Sequence, residues 1–127
     1  MDNSLLIWIG GLFNLAFFIF HIFFWKMFSW GEDLKKLLPV NRAVMQVLNL
    51  CLMFALLIFA YMSFFHNQEM QTTAIGITLT LFIALFWGIR AILQLVYFSR
   101  TKLVSYIFFT IFVIGLMLYF LPWLLTE

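Results

Sequence analysis

Residues 72–98 read TTAIGITLTLFIALFWGIRAILQLVYF, a nearly unbroken hydrocarbon run interrupted by one cation, Arg90. As a helix rising about 1.5 Å per residue, the run reaches about 40 Å. That exceeds the roughly 30 Å hydrocarbon core of a bilayer, which about 20 apolar residues suffice to cross. Strands are excluded by the same solvent. No sheet edge can be left unpaired in lipid, and nothing here alternates as a barrel strand does.

Working outward, residues 5–25, 43–65 and 103–125 are runs of the same kind. The chain is therefore expected to be all-α: an integral membrane four-helix bundle forming one transmembrane domain over 1–127. Composition agrees, with 66% hydrophobic and only 9% charged residues. Soluble domains carry about 25% charged residues, so this chain cannot clothe a globule in polar surface. A net charge of +2 is too small to suggest a nucleic-acid partner. The lone Cys51 lies in an apolar run and supplies no disulfide framework. The opening MDNS lacks the positive charge of a secretory signal, so residues 1–25 are expected to be a retained span.

Residues 26–42, KMFSWGEDLKKLLPVNR, form the long connection. Leu34, Leu37 and Leu38 recur at helical spacing opposite Lys35 and Lys36, which predicts a short interfacial helix between spans 1 and 2. Pro39 is expected to end it and Asn41 to cap the second span. Lys26, Lys35, Lys36 and Arg42 lie in this loop, and Arg100 and Lys102 lie between spans 3 and 4. The opposite side, MDNS, HNQEMQ and LLTE, has no lysine or arginine. The positive-inside rule then places both termini outside a plasma (inner) membrane. Trp8, Tyr61 and Trp123 fall at the outer interface, with Trp25 and Trp30 at the inner one.

In size and helix count the chain resembles fluoride channels and small multidrug transporters. That resemblance is one of outline. Some members of those families insert both ways up, which needs a near-balanced charge distribution, and the multidrug family carries a glutamate in helix 1. Here the bias is lopsided and helix 1 offers Asn14 instead, so no residue is carried across.

Polar residues inside spans are costly and so point to sites. Helix 1 has Asn14 and His21, with Trp25 one turn on; helix 2 has Gln46 and Asn49 following Arg42. Helix 3 has Trp87, Arg90, Gln94 and Tyr97 within an arc of about 80°. Helix 4 has Ser105, Thr110 and scattered tyrosines, and no stripe. From the helical rise, His21 lies roughly 6–9 Å from the cytoplasmic end, Gln46 and Asn49 roughly 6–12 Å, Gln94 about 7 Å and Arg90 about 14 Å. Three neighbouring helices thus bring polar groups to one layer. The expected ligand-binding set is Arg90, His21, Gln94, Asn49 and Gln46, lined by Trp87, Trp25 and Tyr97.

Arg90 has no carboxylate in any span to balance it. Its counter-charge must be an anionic ligand, a lipid headgroup, another subunit, or Glu32 and Asp33 folding back. A guanidinium offers a planar fork of donors suited to carboxylate or phosphate. The structural alternative is that Arg90 snorkels and the amides act as interhelical glue, worth about 0.6 kcal/mol per bond. His21 is the in-membrane side chain whose ordinary titration range lies near neutrality.

Catalytic and metal sites find no support. His21 and His66 lie at opposite faces, roughly 20 Å or more apart, so they cannot share a haem within one chain. No clustered metal ligands, carboxylate pair or Ser–His set lies at one depth. Any cofactor is left unidentified, and two copies of His21 across a dimer axis stay open as a haem site. Three functions remain: a binding or transport protein for an anionic or amphipathic small molecule or lipid; a non-catalytic accessory or assembly subunit; and a membrane enzyme acting on a lipid. The first two imply a homo-oligomer or a partner membrane subunit respectively.

Overall fold

A computed structural model describes residues 2–126; Met1 and Glu127, both in the termini read as free of lysine and arginine, lie outside them. The described residues are almost entirely helical, with no strand among them. Four helices are long and apolar enough to cross a membrane: α1 (Asn3–Ile22), α4 (Pro39–Phe65), α6 (Ala74–Tyr97) and α7 (Leu103–Leu125). Short α2 (Phe24–Met27) and α3 (Trp30–Asp33), then a 3-10 turn over Leu34–Lys36, link α1 to α4, and α5 (Glu69–Thr72) links α4 to α6.

Local chemistry sets the ends of these helices. The Asp2 carboxylate accepts from the Ser4 N–H and opens α1. Thr73 does the same for α6, its hydroxyl oxygen accepting from the Gly76 N–H at 2.9 Å. In both, a side chain satisfies an amide that has no partner in the first turn. Pro39 occupies the first turn of α4 rather than ending the preceding segment, and Asn41 lies inside the helix. A proline there loses nothing, because its missing N–H would have been unpaired anyway. The helix following Trp30 is broken into single turns. Leu34 is buried while Leu38 is exposed, so the leucines do not form one continuous face.

The spans run antiparallel. α1 packs on α4 and α7, and α6 packs on α7, closing a bundle whose fourth side is bridged by Phe59 and Phe86 at 5.4 Å. Its two ends differ. Near the chain termini every spanning helix contributes buried residues: Ile7 and Gly10 of α1, Leu56 and Ala60 of α4, Ile83 of α6, and Tyr119 of α7. Toward the end that carries the basic loops, α6 stays buried as far as Gln94 and α7 from Ser105. There α1 buries nothing after Asn14, and α4 nothing before Leu56. The α1–α4 hairpin therefore loses close packing at the basic end. Outward-facing Leu48, Leu50, Phe54, Ile89, Ile92 and Val96 are apolar, as a surface solvated by lipid must be.

Two of the glycines at close approaches between elements bear on the site. A Cβ on Gly10 would lie 2.6 Å from the Tyr119 ring. At Gly76 it would overlap the Glu69 carbonyl, so α5 folds onto α6 only because that position has no side chain. Thr80 fastens the same contact by donating to the carbonyls of Met70 and Gly76.

Candidate functional site

The tightly packed half contains a polar network joining all four spans. The Trp87 indole N–H donates to Asn14 Oδ1 at 3.1 Å. Asn14 Nδ2 donates to the Gly10 carbonyl at 2.9 Å and to the Tyr119 hydroxyl at 2.8 Å. Ser63 Oγ donates to the Phe59 carbonyl at 2.7 Å, so its 2.7 Å contact with Tyr119 uses the tyrosine as donor. Every hydrogen is thereby assigned, from Trp87 on α6 through Asn14 on α1 and Tyr119 on α7 to Ser63 on α4. Asn14, Ser63 and Tyr119 are inaccessible, and a buried polar group must be satisfied in this way to be tolerated.

An aromatic layer adjoins the network. Trp87 stacks with Phe112 at 5.8 Å and 14°, while Phe13 meets it edge-on at 4.8 Å and Phe17 lies tilted against it at 5.0 Å. Beyond this layer lies Arg90. Its guanidinium carbon is 4.3 Å from the centre of the Phe112 ring and 5.5 Å from that of Phe98. Aromatic faces thus supply part of the charge compensation that no carboxylate provides. Glu32 and Asp33 do not fold back to Arg90. They pair with Lys35 and Lys36 on their own segment, at 3.9 and 3.8 Å, where all four are exposed.

Arg90 opens into a cavity of about 700 Å³ between the basic ends of α1, α6 and α7. Phe17, Phe20, Phe24 and Phe108 form its apolar walls, with Phe28, Trp30 and Met45 also lining it. Its polar lining is His21, Arg90, Gln94, Ser99, Lys102 and Ser105. That lining carries two cations and no carboxylate. Gln94 is held by donating from Nε2 to Ser105 Oγ at 3.2 Å, which joins α6 to α7 beside Arg90. His21 donates from Nδ1 to the Phe17 carbonyl at 2.7 Å; a carbonyl only accepts, so in the neutral ring Nε2 carries the free lone pair.

A second, smaller cavity of about 360 Å³ lies between α1 and α4. It takes His21, Trp25, Gln46 and Asn49, with Ile22, Leu50 and Met53. The residues expected to share one pocket are therefore divided between two, with His21 common to both. Trp87 and Tyr97 line neither. Trp87 lies three residues, about 4.5 Å, further from the basic end than Arg90, and its indole is committed to Asn14. Tyr97 is 78% exposed in the last turn of α6, where it faces away from the bundle. Among the described residues no group of histidine, cysteine and carboxylates could hold a metal ion.

Sequence reading missed Tyr119, Ser63 and the α7 side of the larger cavity. The available signal was Gly10 and Gly11, one turn before Asn14, which mark the face of α1 that others approach. No protein-family model, no curated protein and no solved structure matches this chain. The site is therefore read from its own chemistry.

Proposed function

We propose that this chain is a small integral membrane binding or transport protein whose cytoplasmic-side pocket receives an anionic or amphipathic ligand. The protein lies N-out and C-out in a plasma (inner) membrane, with Trp30–Lys36 along the cytoplasmic interface. One observation carries the reading: an aromatic-walled cavity of about 700 Å³ holds Arg90 and Lys102 and no carboxylate. Cavities of this size commonly enclose a small amphipathic molecule, with a few polar groups fixing its orientation. Arg90 binds the charge, Gln94 and Ser105 orient the head, and His21 bounds the site toward α4. Transport across the bilayer needs more than one copy, because a four-helix chain this rich in phenylalanine leaves no continuous aqueous path.

Native mass spectrometry from a mild detergent tests the reading, since it reports bound molecules and copy number together. Arg90→Ala is expected to abolish retention of a co-purifying anion. Thr110→Ala, whose hydroxyl bonds only the Tyr106 carbonyl on an exposed face of α7, leaves retention unchanged. Equal effects from the two substitutions count against the pocket.

An accessory-subunit reading is favoured by a different observation. Gln46 and Asn49 share one face of α4 beside α1, and the Asn49 amide reaches only the Met53 thioether at 3.6 Å. A partner helix bearing acceptors would complete this face. A stoichiometric protein partner in the same spectra supports that reading over the first.

A further inference from the structure

The larger cavity fixes the class of its ligand more narrowly than charge alone. We propose that it takes a single-chain amphipath with a carboxylate head, bound edge-on to the Arg90 guanidinium. This rests on the pocket reading above and specifies its occupant.

The geometry of Arg90 carries the inference. The guanidinium carbon lies over the Phe112 ring at 4.3 Å and over that of Phe98 at 5.5 Å, and neither ring offers an oxygen or nitrogen acceptor. The N–H donors of a guanidinium radiate in its plane. They make no hydrogen bond or ion pair with any described residue, and the side chain opens into the cavity. What is left to recognise is a planar fork of donors, and its matching acceptor is two oxygens in one plane. Ser105 adds a fitting second donor, because its oxygen accepts from Gln94 and its own proton remains uncommitted.

The remaining walls argue against other heads. A quaternary ammonium would suit phenylalanine faces, but Arg90 occupies the best of them and two cations repel it. A phosphate brings a third oxygen and up to a second charge beyond what the single fork pairs, and Lys102 is the one other lysine or arginine in the lining. A free hydrophilic anion leaves the Phe17, Phe20, Phe24 and Phe108 walls uncovered, whereas one acyl chain covers them. The volume, about 700 Å³, suits one chain rather than the two of a phospholipid.

The test uses the full chain in zwitterionic nanodiscs and follows quenching of its tryptophans; Trp30 lines the cavity. The probes are an omega-brominated undecanoate and its matching alcohol, alkyl phosphate and alkyl trimethylammonium. Each titration is referenced to partition into protein-free nanodiscs. The carboxylate is expected to quench saturably and to bind about ten-fold or more tightly than the other three, the range of a charge-assisted hydrogen-bonded pair. Arg90→Gln is expected to reduce the carboxylate to the affinity of the alcohol. Unchanged alcohol binding shows in the same experiment that this variant is folded. Ser105→Phe, which fills the cavity, is expected to remove saturable binding of all probes.

Equal binding of carboxylate and alcohol, with both lost in Ser105→Phe, overturns carboxylate selection while leaving the pocket in place. A ten-fold preference for phosphate or ammonium also overturns it. Absence of saturable quenching by every probe overturns the pocket and the proposal together.

Discussion

Tyr119→Phe should destabilise the bundle out of proportion to the single atom it removes. The ring is inaccessible and phenylalanine has its shape, so no cavity forms and only the hydroxyl is lost. That hydroxyl accepts from Asn14 at 2.8 Å and contacts Ser63 at 2.7 Å. Interhelical hydrogen bonds in membranes average about 0.6 kcal/mol and reach about 1.7 kcal/mol, so two bonds give about 1–3 kcal/mol. The consequences for the two partners differ. Ser63 still donates to the Phe59 carbonyl, but one Asn14 N–H is left without an acceptor in a sealed site. An orphaned buried donor costs about 1–3 kcal/mol, which places the expected loss toward the upper part of the range. Asn14→Leu removes more, because the Trp87 indole also loses its acceptor; about 2–4 kcal/mol is expected. The decisive quantity is the coupling between the two substitutions. Unfolding of the purified protein in mixed micelles, titrated with a denaturing detergent, yields all four corners of the double-mutant cycle. The shared bond should appear as a coupling of about 0.6–1.7 kcal/mol. Additivity of the two substitutions within about 0.3 kcal/mol would refute the network as an energetic unit.

Other expectations follow from close approaches and from charge placement. Gly10→Ala puts a methyl group against the Tyr119 ring, and overpacking of this kind should cost about 1–3 kcal/mol in the same unfolding assay. Gly31→Ala, with no atom within 4 Å of the added carbon, should leave stability unchanged. In a Cys51→Ser background, a cysteine at Ser99 should react with an impermeant thiol reagent only from the cytoplasmic side of the membrane. One at Gln68 should react only from outside. The reverse pattern would refute the N-out and C-out orientation.

The number of long apolar helices was legible in the sequence because bilayer thickness imposes a length that composition can be measured against. The gathering of Arg90, Gln94 and His21 was also legible, since matching depth on two spans of one bundle brings side chains within reach. Which neighbour each residue meets was not. Trp87 and Tyr97 share the arc of Arg90, but a helical projection gives a direction and not what lies there. One indole finds Asn14, and the phenol at the helix end finds open surface. Pro39 was misread because a proline both stops a helix and starts one, and the choice depends on whether the following residues have something to pack against. Tyr119 was hidden for another reason. In α7 it is one aromatic residue among many, and its hydroxyl acquires meaning only from an amide on α1 and a serine on α4.

The contrast between a bonded end and a loosely packed end makes this molecule mechanically resemble a pair of tongs. The four helices are joined at Asn14, Ser63, Trp87 and Tyr119, so any relative tilt of the two hairpins that keeps those bonds turns about that point. Ile22 lies eight residues from Asn14, a lever of about 12 Å, so a tilt of about 5° moves it by about 1 Å. Small angular freedom at the joint is thus converted into aperture at the far tips, without breaking a single bond at the pivot.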